Sequence, residues 1–162
     1  MFKHQFIFTP CSWIGEGTIT LNMVEEDLNF FTKWNILDKD FSERIQSVQE
    51  IQIAGISENM HNELIFFDFT RNGFSVEMDN INIGRVVGEG IFDENIIAWE
   101  FRNNELNFEG FETYYKEKEE DSYKVHAEYV TSDQFRTQID GRIWKPPYSS
   151  NMFDHNEKEG EE

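Results

Sequence analysis

Cysteine is almost absent from this sequence, and prolines and long apolar runs are scarce. The single cysteine, Cys11, excludes an intramolecular disulfide and a zinc site built from several thiolates. No run of about 18 apolar residues occurs, so the sequence predicts no membrane-spanning helix. The opening stretch, residues 1–8, is too short and too interrupted by polar side chains for a signal peptide. These absences predict a soluble, cytoplasmic protein.

Positive charge is the second scarcity. The chain carries 14 Lys and Arg against 32 Asp and Glu, a formal net charge of −18 at pH 7. A surface this acidic repels nucleic-acid phosphates and anionic membranes, and no basic patch with interleaved aromatics occurs. The charge serves either to keep the protein in solution or to dock a basic protein partner.

Recognisable catalytic patterns are also missing. His4, Cys11 and Ser12 lie near one another in the sequence, but their spacing does not indicate a catalytic triad. The Gly-Glu-Gly segments at 15–17 and 88–90 lack the Lys-Ser/Thr pair and the helix of a phosphate-binding loop. No pair of carboxylates stands out for acid–base catalysis. We therefore expect a binding protein rather than an enzyme, with no catalytic residues and no metal.

Aromatic residues and alternating patterns are what the sequence has in abundance. Phe, Trp and Tyr make up 15% of the chain, and 16 residues are Phe. After Pro10, Gly17, Ile19 and Leu21 fall on one face of a predicted strand. Similar stretches follow, separated by turn signals such as 71–73. Residues 41–48 fit either a helix or a strand, and we favour a strand with a bulge because 49–53 alternate cleanly.

The pattern predicts an all-β fold of about ten strands. Short connections favour antiparallel neighbours, and a meander of this length is expected to close into an up-and-down barrel that leaves no free edge. We assign residues 1–147 to this single domain, with 1–9 packing across one end. Pro146 and Pro147 stop the sheet, and we expect the acidic tail at 148–162 to be disordered.

Two segments resemble the calycin superfamily, which includes lipocalins, fatty-acid-binding proteins and nitrobindin-like barrels. They are Trp13-Ile14-Gly15-Glu16-Gly17, which follows a short turn, and Gly141-Arg142-Ile143-Trp144. The resemblance implies a barrel closed at one end, with Arg142 from the last strand covering the Trp13 indole by cation–π stacking. The chain departs from the pattern at Cys11, where the family has glycine. No helical pair follows the first strand, which disfavours the fatty-acid-binding subgroup.

The similarity to nitrobindin-like barrels raises the question of haem. Those barrels hold iron through a histidine near the end of the chain. Here His126 shares a face with Lys124 and Glu128 and is expected to point to solvent, while His155 lies in the predicted tail. We therefore expect no haem and no other cofactor.

The candidate ligand-binding residues are large side chains assigned to the inside of the barrel. They are Trp34, Phe66, Arg85, Trp99, Phe101 and Tyr129. Glycines at 84, 88 and 90 leave room beside them, which favours a cavity for a small hydrophobic or amphipathic ligand. Arg85 would pair with an acid such as Asp68 or with a ligand carboxylate. A cavity of about 300 Å³ or more with one or two polar anchors would favour ligand binding; a filled interior would favour a protein-interaction module with an acidic surface.

Overall fold

The computed structural model describes residues 4–118, 121–131 and 133–146. Its strands, in chain order, are β1 (Cys11–Leu21), β2 (Leu28–Lys39), β3 (Ile45–Ile53), β4 (Met60–Phe67), β5 (Gly73–Asn80), β6 (Gly84–Phe92), β7 (Ile96–Phe101), β8 (Glu109–Lys116), β9 (Ser122–Val130) and β10 (Arg136–Trp144). Each pairs antiparallel with its sequence neighbours, and β10 pairs with β1 to close the barrel. The predicted closed antiparallel barrel is confirmed.

The seam between β1 and β10 depends on two glycines that lie opposite each other. Gly17 is in register with Gly141, and a Cβ on either would run into the carbonyl of the facing strand. The two strands approach closely at this point because neither residue has a side chain there. The absence of a side chain at Gly17 and at Gly141 therefore allows the first and last strands to pair.

The second half of the ambiguous segment 41–48 is a strand, and its first half is a turn and not a helix. Ile45 begins β3, and residues 40–44 form the turn before it. The bulge expected within 41–48 lies instead in β2, where the register against β3 shifts between Ile36 and Lys39. The apolar residue that favoured a helix, Phe41, is fully exposed in the turn.

The described part of the N-terminal arm packs across one end of the barrel, as expected. Phe6 and Ile7 are fully buried. The Phe6 ring lies 5.5 Å from Trp13 and 5.4 Å from Trp34, measured between ring centroids. The His4 ring anchors the arm through hydrogen bonds to the Tyr123 hydroxyl at 2.8 Å and to a carbonyl in the β6–β7 turn. This end of the barrel is closed.

The last strand ends at Trp144, and residues 147–162 lie outside the described part of the chain. The predicted boundary at 147 and the predicted acidic tail fall there. Within the residues described, there is no helix with the length and apolar character needed to cross a membrane.

Candidate functional site

The barrel interior has a filled half and an open half. In the filled half, next to the N-terminal arm, the Trp99 ring stacks on Tyr114 at 5.0 Å and meets Phe66 at 5.3 Å. The open half faces the other end of the barrel, where the turn after β1 and the turn after β3 lie, and it encloses a cavity of about 300 Å³. Trp34 belongs to both halves, because it packs against Phe6 and also lines the cavity.

Apolar side chains make up most of the cavity wall. They come from all but three of the strands and from the turns at the open end. The apolar lining residues are Ile19, Leu21, Leu28, Phe30, Trp34, Ile51, Ile53, Ile56, Met60, Met78, Ile83, Phe108, Val125, Ala127, Phe135, Ile139 and Ile143. An apolar wall of this size suits a hydrophobic ligand group.

One wall of the cavity carries a row of amides that crosses three strands. Gln49, Asn62 and Asn80 lie directly opposite one another in the registers of β3, β4 and β5. Asn80 donates to Asn62 Oδ1 at 2.5 Å, and Asn62 donates to Gln49 Oε1 at 3.1 Å. Gln49 in turn donates to Thr32 Oγ1 at 3.2 Å. We call Thr32, Gln49, Asn62 and Asn80 the amide row; each of its three amides keeps a second N–H beyond these bonds.

A carboxylate lies elsewhere on the wall. Glu112 on β8 accepts a hydrogen bond from the Tyr114 hydroxyl at 2.6 Å and another, on its second oxygen, from the Tyr129 hydroxyl. Glu112 is 9% exposed, and burial raises the pKa of its carboxyl above the ordinary value, while the tyrosine hydroxyls oppose that shift. The Trp99 indole N–H also favours the carboxylate, at a geometry short of a full hydrogen bond.

Tyr129 reaches Glu112 because glycine stands at position 110. The Tyr129 ring covers Gly110, and a Cβ at that position would collide with the ring. The Phe108 ring stacks on the Tyr129 ring, with 5.0 Å between the ring centroids. The local sequence of β8 therefore holds the Tyr129 hydroxyl against the carboxylate.

The structure divides the predicted aromatic site residues between the two halves. Trp34 and Tyr129 line the cavity. Phe66, Trp99 and Phe101 are buried outside its lining. The room expected beside Gly88 and Gly90 is not free, because the rings of Phe101 and Phe74 occupy it.

The expectation that Arg85 faces the interior is wrong. Its side chain is 65% exposed, and its Nε lies 3.3 Å from Glu77 Oε1 on the outer surface. Alternation from Ile83 placed Arg85 on the inner face, because Ile83 lines the cavity. Ile83 lies before β6, however, and Gly84, with a φ of +104°, changes the direction of the chain between Ile83 and Arg85. Val86, and not Arg85, is the inward residue.

Arg142 does not cover Trp13 as the resemblance implied. Its guanidinium donates to Glu117 Oε1 at 2.8 Å, and its side chain is 53% exposed. Trp13 is fully buried at the closed end, where its ring contacts Phe6 and Tyr123. The barrel end is covered by the N-terminal arm in place of the arginine.

The polar anchors were missed at the sequence level, although a signal for them was present. Thr32 shares the inward face of β2 with Phe30 and Trp34, and Gln49 occupies an inward position of β3. A polar residue at an inward position of an otherwise apolar pattern marks either a paired interior group or a ligand contact.

The histidine expected to face solvent does so. His126 bonds to Asp140 Oδ1 at 2.6 Å and to Glu128 Oε2 at 2.9 Å on the outer face, and these bonds raise its pKa. Among the described ranges, no group of three or more His, Cys, Asp or Glu side chains is placed to hold a metal ion. His155 lies outside those ranges.

The comparisons with known proteins support the fold. No protein-family model matches the sequence, and a search of curated proteins finds no match. Among solved structures, the chain is similar to an S-type phycobiliprotein lyase, CpeS, from Guillardia theta, with a TM-score of 0.63 and 10% sequence identity over 86% of this chain and 89% of that one. A putative AttH from Nitrosomonas europaea matches with a TM-score of 0.35 and 10% identity, over 87% of this chain and 52% of that one. The likeness to CpeS shows that this chain shares the fold of that protein.

Proposed function

We propose that this protein binds a small hydrophobic or amphipathic ligand in the open half of its barrel, without catalysing a reaction on it. The observation that carries the proposal is the cavity of about 300 Å³, whose largely apolar wall holds the amide row and Glu112. That volume lies at the lower end of ligand pockets, which also combine apolar walls with a few polar anchors.

The polar groups inside the barrel support a binding role over a purely structural one. Asn62 and Asn80 are 8% and 2% exposed, and burying amides costs free energy unless their hydrogen bonds are made. Apolar residues at these positions would pack the barrel without that cost. The amide row uses one N–H of each amide and leaves the second for a partner in the cavity.

Trp34 adds a further donor. Its indole N–H is buried and has no hydrogen-bond partner among the residues that the structure describes. Because an unsatisfied buried donor costs about 1–3 kcal/mol, a ligand acceptor that reached it would gain affinity.

The alternative, an interaction module with a filled barrel and an acidic surface, is less well supported. That alternative called for a filled interior, and this interior contains a cavity of about 300 Å³. The CpeS likeness supports only the shape of the barrel, since at 10% identity the activity in that protein's name does not transfer to this chain.

Two variants, each with one alanine replaced by leucine, test the proposal. Ala127 lines the cavity, while Ala98 points outward from β7. Native mass spectrometry with 1-decanol should show one molecule bound to the unmodified protein and to Ala98→Leu, but little or none bound to Ala127→Leu. The melting temperature of each variant confirms that it is folded. Absence of decanol binding by the unmodified protein, or equal binding by the two variants, would refute binding in the cavity.

A further inference from the structure

The charged groups of the cavity wall restrict the ligand. We infer that the natural ligand is not an anion, and that its polar group donates a hydrogen bond to Glu112, as a primary or secondary amine does. This inference rests on the proposed function and adds the chemical class of the ligand.

Glu112 has acceptor capacity that its protein partners do not use. Each carboxylate oxygen receives one tyrosine hydroxyl, from Tyr114 or Tyr129, and each oxygen can accept a second hydrogen bond. Both partners are neutral donors, as is the nearby Trp99 indole N–H, so none of them compensates a negative charge on the carboxylate. A cationic N–H donor from the cavity would satisfy the remaining lone pairs and also the charge.

The same wall offers an anion only neutral N–H donors, those of the amide row and of Trp34. Arg142 is the one positively charged side chain among the described cavity-lining residues, and its Nε is committed to Glu117 at 2.8 Å, with half of its side chain exposed. A fatty-acid carboxylate in the cavity would meet neutral amides on one wall and the Glu112 carboxyl group on another. The net charge of −18 opposes entry of an anion as well.

The position of Glu112 distinguishes it from the acids of the surface. Its side chain is 9% exposed and lines the cavity, whereas Glu109 on the same strand is exposed. A charged group in this less polar environment acts on a ligand more strongly than a solvated surface charge does. Glu109 therefore provides a matched control, because Glu109→Gln removes the same formal charge from the same strand.

Four decyl compounds test the inference by isothermal titration calorimetry at neutral pH, each below its micelle concentration. They are decylamine, decyltrimethylammonium, 1-decanol and decanoate. We expect decylamine to bind at least about tenfold more tightly than decanoate, the size of a charge-assisted hydrogen bond. Decyltrimethylammonium, which carries the charge without an N–H, should bind more weakly than decylamine. Glu112→Gln should weaken decylamine binding about tenfold and leave decanol within about twofold, while Glu109→Gln leaves both unchanged.

The outcomes separate the inference from the proposed function. If decanoate binds as tightly as decylamine, or Glu112→Gln leaves the decylamine affinity unchanged, the inference is wrong. Binding of decanol would then still support the proposed function. Equal affinity for decylamine and decyltrimethylammonium overturns the role of the N–H donor. If no decyl compound binds, the proposed function fails. The ranking in the unmodified protein decides the inference even if Glu112→Gln does not fold.

Discussion

At the scale of single residues, the interior depends on how each buried polar group is paired. The Glu112 carboxylate is stabilised by two tyrosine hydroxyls and penalised by burial, and burial is the larger effect on its pKa. The amides of the amide row are neutral, and each donates one hydrogen bond to the next residue in the row, from Asn80 towards Thr32. The interior is therefore sensitive to pH at Glu112 and sensitive to side-chain truncation in the amide row.

The first prediction concerns pH. The pKa of Glu112 is raised in the folded protein above its ordinary value of 4.5. Between 4.5 and the raised value, the folded state therefore binds more protons than the unfolded state, and the free energy of unfolding contributed by Glu112 falls as pH rises through that window. Glu112→Gln should lose this contribution. Urea unfolding across this range should show the variant gaining stability relative to the unmodified protein as pH rises; a difference that stays constant would contradict the raised pKa.

The second prediction concerns the amide row. Asn62→Ala removes the acceptor of Asn80 Nδ2 and the donor to Gln49 Oε1. We expect a loss of about 2 kcal/mol in the free energy of unfolding, because two interior amides lose a partner. Asn29→Ala on the exposed face of β2 serves as the control and should change stability by less than about 0.5 kcal/mol. Equal effects of the two substitutions would show that the amide row does not stabilise the fold.

The alternation of residues in the sequence predicted whether most side chains point into or out of the barrel, but it did not predict which side chains are in contact. The alternation placed Trp34 and Tyr129 inside the barrel, and both line the cavity. It could not show that Phe101 fills the space beside Gly88, because that depends on the stagger between strands. It failed at Arg85, where the positive φ of Gly84 redirects the chain before the strand begins.

At the scale of elements, glycines determine where strands and rings approach closely. The β1–β10 seam closes at Gly17 and Gly141, and β8 admits the Tyr129 ring over Gly110. The order of the strands followed from short turns and alternation, so the sequence predicted the ten strands well. The fit of the last strand to the first depended on contacts between residues far apart in the chain, which local patterns do not encode.

The third prediction tests the element that positions Tyr129. Gly110→Ala places a methyl group where the Tyr129 ring and the Glu128 carbonyl lie. The ring must move, and we expect a loss of about 1–3 kcal/mol in the free energy of unfolding, the usual cost of overpacking. Affinity for decylamine should change as well, because the Tyr129 hydroxyl leaves Glu112.

Tyr129→Phe is the control for this substitution, since it removes the hydroxyl and keeps the ring over Gly110. Its loss of stability should be smaller than that of Gly110→Ala when both are measured by urea unfolding. If Gly110→Ala is as stable as the unmodified protein, the contact between the ring and the strand does not hold Tyr129 in place.

At the scale of the whole molecule, the barrel is closed at one end by the N-terminal arm and open inside at the other. Sequence patterns predicted the closed barrel, from apolar alternation and short turns, and the packing of the arm, from its apolar side chains. They could not predict how the interior is divided, because alternation assigns an inward face but not a depth along the barrel axis. The division places a largely apolar cavity beside Glu112 and the amide row, and the proposed ligand binding depends on it.

Methyl NMR of methionines labelled with carbon-13 tests this division most directly. Met60 and Met78 line the cavity, whereas Met23 is 73% exposed outside it. On titration with 1-decanol, we expect the methyl resonances of Met60 and Met78 to shift to saturation while that of Met23 stays in place. Unchanged resonances of Met60 and Met78, or a shift confined to Met23, would contradict a ligand site inside the barrel.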